Sequence, residues 1–79
     1  MASLSHYSPQ TAPILRVGSH GQVVKDVQAK LEQEKLYTAS IDGVYGRNTQ
    51  QAVKTFQRNH HLTPDGIIGH RTWTALVNS

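Results

Sequence analysis

No cysteine occurs among the 79 residues, so neither a disulfide nor a thiolate-bound metal can staple this fold. The chain is nonetheless near the smallest size that one hydrophobic core sustains unaided. Without cysteine the redox compartment also goes unread. Acidic residues are scarce: five Asp and Glu stand against eight Lys and Arg, for a net charge of +3 and a pI of about 9.6. That balance favours an anionic partner over a cationic one, whether nucleic acid, acidic lipid or the carboxylates and phosphates of a bacterial wall. No apolar run approaches the roughly 18 residues that cross a bilayer. The opening MASLSHYSPQTAP has neither the basic start nor the apolar stretch of a secretory signal peptide. Hydrophobic residues make up only 37% of the chain, but they recur periodically, which argues against disorder.

The strongest pattern is a frame written twice. IDGVYGRNTQQAV (41–53) and PDGIIGHRTWTAL (64–76) share Asp-Gly-x-x-Gly-x-x-Thr-x-x-Ala-aliphatic, and the Asp residues stand 23 positions apart. Each copy feeds a helical stripe. Thr49, Ala52, Val53 and Phe56 fall at i, i+3, i+4 and i+7, and Thr72, Ala75 and Leu76 repeat that spacing with Trp73 and Val77 beside them. A fainter Gly18-x-x-Gly21 precedes Val24, Val27 and Leu31, where Ser19 and Gln22 suit a capping box. The spacing predicts an all-α fold, a small three-helix bundle built from two related loop-helix repeats. Stacked units of this kind bury a core that one alone could not. Residues 1–13, rich in Ser, Pro, Thr and Ala, read as a flexible leader or linker end. The domain is expected over 14–79, opening on the apolar pair Ile14–Leu15.

The loop residues have structural uses. An Asp side chain accepts backbone N–H bonds just ahead of it in an Asx-turn. The Gly after it takes a positive φ, and the second Gly serves as a helix N-cap. Asp65, Gly66 and Gly69 read this way in the second loop. Gln28 and Gln57 lie four residues after Val24 and Val53 on buried faces. An unpartnered amide there costs about 1–3 kcal/mol, so each is expected to buttress an Asp-Gly loop. Trp73, the only tryptophan, is expected to anchor the core.

From Leu15 to Leu76 the ordered series Leu-Arg-x-Gly-Ser-x-Gly, Val-x-x-Val-Gln-x-x-Leu, Ile-Asp-Gly-Val-Tyr-Gly-x-x-Thr, Ala-Val-x-x-Phe-Gln and Asp-Gly-Ile-Ile-Gly-x-x-Thr-Trp-x-Ala-Leu resembles the bacterial peptidoglycan-binding domain of the three-helix type, found beside cell-wall hydrolases. The resemblance implies a non-catalytic module that holds an enzyme against murein, outside the cytoplasm, with no cofactor. It implies a shallow groove whose binding role maps onto Asp42, Gly43, Tyr45, Gly46 and Thr49. Tyr37 and Tyr45, aromatic and outside the helical stripes, are expected either to face sugar rings or to pack partly into the core with exposed hydroxyls. Arg47 is placed to pair with a stem-peptide carboxylate. The chain departs from the family's pattern where Lys35 and His61 occupy positions usually held by glycine after the first two helices. If the turns there stay left-handed, each residue carries about 1 kcal/mol of strain.

Other readings fit less well. The five histidines form no His-x-x-x-His pair, and no Asp or Glu stands at ligand spacing, so no metal is expected. Asp42 and Asp65 are committed to turns, and no nucleophile–base pair is evident, so no catalysis is expected. RNTQQAVKTFQRNH (47–60) could pass for the recognition helix of a basic nucleic-acid-binding domain. A helix-turn-helix, however, joins its helices by a turn of roughly 3–4 residues, and here the connections run Lys35–Gly46 and His61–Gly69. A scaffold or protein-interaction domain of the same fold is the remaining alternative.

Overall fold

Each helix begins where a glycine closes a turn. In the computed structural model, which describes residues 3–79, α1 spans Gln22–Gln33, α2 Arg47–Asn59 and α3 His70–Asn78, with Gly21, Gly46 and Gly69 at the N-caps. The capping box expected of Ser19 and Gln22 does not form, because the helix starts too late for it. Ser19 Oγ instead accepts the Arg16 N–H at 3.0 Å, and Gln22 donates along the helix to Asp26. Among the described residues there is no strand. Two isolated antiparallel bridges, Leu15 with Ile68 and His20 with Val44, tie residues 15–20 to both Asp-Gly loops.

The expected stripes form the core. Val24, Val27 and Leu31 come from α1, Ala52, Val53 and Phe56 from α2, and Trp73 and Leu76 from α3. Leu15, Tyr37, Tyr45 and Ile68 join them from the connections, while Ile14, expected to pack beside Leu15, is exposed. Each such large apolar side chain contributes about 1.5–3 kcal/mol by leaving water.

Residues 3–13 are not the flexible leader that their composition suggests. Leu4 is only 2% exposed, and the Tyr7 ring lies 5.0 Å from that of Trp73. The Tyr7 hydroxyl donates to Asp26 on α1, and the Trp73 indole N–H donates to the Pro13 carbonyl at 2.8 Å. Turns closed by Tyr7 N–H to Leu4 O and Ala12 N–H to Ser8 O satisfy the backbone of this arm. Two large side chains thus suffice to dock a Ser- and Pro-rich segment across α1 and α3. Burial, with the bond to Asp26 and its charge, pushes the Tyr7 phenol up to about 12. Met1 and Ala2 lie outside the described residues.

Lys35 and His61 do take the left-handed conformation, at φ 64° and 59°. Each is followed by a residue whose N–H closes the helix end, Leu36 onto Leu31 O at 2.9 Å and Leu62 onto Gln57 O at 2.8 Å. Among the described residues no helix is long and apolar enough to cross a membrane.

Candidate functional site: two clefts at the Asp-Gly loops

A buried glutamine lies behind each Asp-Gly loop. Gln28 Nε2 is within 3.0–3.2 Å of Thr49 Oγ1, Val44 O, Asp42 Oδ1 and the Tyr37 hydroxyl, and its Oε1 accepts the Gly43 N–H at 3.0 Å. Gln57 repeats this with Ile67 O, Asp65 Oδ1 and Thr72 Oγ1 at 2.9–3.1 Å, and accepts the Gly66 N–H at 2.9 Å. An amide has two N–H donors, so the hydrogens are shared among these acceptors. The opposite amide orientation would set oxygen against oxygen, so the surroundings fix it. Each Asp closes its Asx-turn as well: Asp42 Oδ1 accepts the Val44 N–H and Asp65 Oδ1 the Ile67 N–H, both at 2.9 Å. The Val44 N–H first, and the Gln28 amide second, hold the Asp42 carboxyl below the usual carboxylate range.

Between Asp and aliphatic residue, both loops need glycine. Gly43 and Gly66 sit at φ 76° and 74°, and each is covered by the stem of a lysine, Lys25 or Lys54. A Cβ on Gly43 would stand 3.1 Å from the Gly21 carbonyl oxygen, and one on Gly66 2.9 Å from Gln50 Cγ.

In front of each loop lies a cleft. The first encloses about 280 Å³ and the second about 340 Å³. At the 23-residue offset their walls correspond: Ala39 with Leu62, Ser40 with Thr63, Asp42 with Asp65, Val44 with Ile67, Gly46 with Gly69, Arg47 with His70, Asn48 with Arg71 and Thr49 with Thr72. Each has an exposed aliphatic on its wall, Val44 at 54% and Ile67 at 37%. The other exposed large aliphatics, Ile14, Val17 and Ile41, also lie in the loop segments and not on the helices.

The structure sorts the residues singled out from sequence. Tyr37, Asp42, Gly46, Arg47 and Thr49 all line the first cleft, and Gly43 sits behind it with its N–H on Gln28. Asp42 and Arg47 are exposed, whereas Thr49 and Tyr37 offer little surface. Tyr37 is 4% exposed, and its hydroxyl donates to Ser40 O. Tyr45 lines neither cleft. It is 1% exposed, and its hydroxyl, expected at the surface, donates to Gly66 O across to the second loop. The cause is alternation: the bridge at Val44 turns that side chain outward and its neighbour inward. Burial raises the Tyr45 phenol well above its ordinary value. Trp73 is fully buried. Sequence reasoning assigned the second loop to structure alone and missed its cleft. Applying the 23-residue offset to the first list of contact residues would have found it.

Residues 20–76 match the family model described as a putative peptidoglycan binding domain. The chain belongs to this family. It is 36% identical over 76 residues to a spore cortex-lytic enzyme of Bacillus subtilis, a match covering 95% of this chain and 24% of that protein. The crystal structure of the SleB N-terminal domain superposes with a TM-score of 0.81 at 33% identity, over 84% of this chain and 90% of that one. A Burkholderia AP3 phage endolysin superposes at 0.76 and 39% identity, over 81% of this chain and 24% of the endolysin. The chain spans about a quarter of the length of the curated lytic enzymes it matches. It corresponds to a peptidoglycan-binding module, not to the catalytic part of those enzymes.

Proposed function

We propose that this domain grips murein with its Asp-Gly loops and so holds a wall hydrolase, in a longer protein, against its substrate in or beneath the cell wall. The observation that carries this reading is the pair of corresponding clefts, each with an exposed aliphatic beside a committed Asp and a basic side chain. In the first cleft Arg47 meets a stem-peptide carboxylate, and the Asp42 oxygen not bonded to the loop accepts an amide or sugar hydroxyl. Val44 supplies apolar contact. Tyr37, Gly43, Gly46 and Thr49 set the shape of the cleft, and Tyr45 acts from beneath by holding the loops. The names of the similar proteins, spore cortex-lytic enzymes and an N-acetylmuramoyl-L-alanine amidase, support the setting. A shallow site of this size works by raising the local concentration of what is tethered to it.

Co-sedimentation with insoluble peptidoglycan at about 0.15 M and 0.5 M salt tests the reading, because exposed charge pairs are screened over that range. Binding that persists at the higher salt, with no binding to a DNA duplex, is the expected result. Duplex binding with none to murein would overturn it.

A further inference from the structure

We infer that the second cleft is a binding subsite in its own right, fitted to the carboxyl end of a second stem peptide on the same polymer; this rests on reading the first cleft as a murein site. The two clefts share what lies behind them and differ at the rim. The Asp, Gly and Thr positions and the glutamine hub repeat, while Arg47 and Asn48 are replaced by His70 and Arg71, with His61 added at the edge. The rim changes therefore do not serve the loop's own architecture, which the first loop achieves without them.

Their chemistry points to one kind of ligand. Among the described residues no ion pair or hydrogen bond engages the side chains of Arg71, His61 or His70, and Thr74 Oγ1 donates only to the His70 carbonyl, so three side-chain donors stand uncommitted around one cleft. Asp65 gives Oδ1 to Gln57 and to the Ile67 N–H, which leaves its other oxygen to accept. A peptide terminus presents a carboxylate and an amide N–H on the same residue, and so satisfies the donors and the acceptor together. A phosphodiester offers no such N–H and would meet the Asp65 charge unrelieved. Ile67, exposed at the wall, suits a small apolar side chain of the peptide. The first and second loops are joined by the Tyr45 hydroxyl on Gly66 O, and a polymer that repeats its unit can fill neighbouring sites that repeat theirs.

Two measurements on the intact chain decide it. Backbone ¹⁵N shifts are followed during titration with a soluble disaccharide-peptide bearing a free carboxylate, and with the same fragment amidated. Shifts at both 44–49 and 67–72, each abolished by amidation, are expected. Murein stripped of teichoic acid is then bound by the wild type and by Arg47→Gln, Arg71→Gln and the double variant, their folding checked by melting. Removing either charge-assisted contact should weaken binding roughly tenfold, and the double variant should bind more weakly than either single one. Wild-type affinity in Arg71→Gln, or shifts confined to 44–49, would overturn the second subsite while leaving the murein reading intact. Loss of wild-type binding on stripping teichoic acid would overturn the peptide assignment. A wild type that ignores murein of any preparation would remove both readings at once.

Discussion

Behind the first Asp-Gly loop the glutamine precedes its Asp by 14 residues and finds four acceptors; behind the second it precedes it by 8 and finds three. The extra partner is Tyr37, which the longer connection folds back into the hub. At the corresponding place in the second loop, His60 instead lies on Phe56 at the surface, with ring centroids 4.1 Å apart. Despite the different path, Asp, Gly and Thr meet the amide in the same way. What repeats is what the backbone needs in order to turn, and what varies is what faces water. The second cleft encloses the larger volume, and its rim carries His61 and His70 besides its one arginine.

Breaking the elements that both loops share should give the largest effects. Tyr45→Ala empties a core position and releases Gly66 O, so a loss of about 3–5 kcal/mol is expected by chemical denaturation. An affinity change without loss of stability would contradict its burial. Gln28→Ala and Gln57→Ala each strand several buried groups and should cost about 2–4 kcal/mol, Gln28 more because its hub has the extra partner.

The glycines separate the loops more finely. Both Gly43→Ala and Gly66→Ala incur the left-handed penalty of about 1 kcal/mol. At Gly43 the new Cβ also meets a backbone carbonyl, which cannot step aside, whereas at Gly66 it meets the flexible Gln50 side chain. Gly43→Ala should therefore lower the melting temperature further, although its closest contact is the longer one. In the opposite direction, Lys35→Gly and His61→Gly relieve strained helix ends and should each stabilise by up to about 1 kcal/mol. Only His61→Gly should also weaken murein binding, since only His61 lines a cleft.

The smallest effect is in pH. The Asp42 carboxyl is held below its ordinary range by the Val44 N–H and the Gln28 amide. Its contribution is therefore present above the unfolded carboxylate range and lost as pH falls through the lower folded value. Acid titration of stability should flatten in Asp42→Asn over that interval.

The helices and their faces were legible because 3.6-residue periodicity reports burial directly: the stripes at Val24–Leu31 and Thr49–Phe56 are the ones that pack. The glutamine hubs were legible for a related reason, since an amide on a buried face must find partners nearby. Three features were not. Tyr45 follows the alternation of an isolated bridge, and a two-residue pairing leaves no period to read. The arm at Leu4 and Tyr7 docks through single side chains in a stretch whose composition describes a linker. Ser19 and Gln22 carry the right types at the right spacing for a cap, but the Gly21 conformation starts the helix after them.

The hydroxyl of Tyr45 on Gly66 O gives the two loops a common fate. A fluctuation that opens one withdraws a support of the other, so their amides should exchange with solvent as one cooperative unit. On the proposed murein reading, a wall strand meets two cups whose spacing was settled when the chain folded. Little of the interaction is consumed in ordering them.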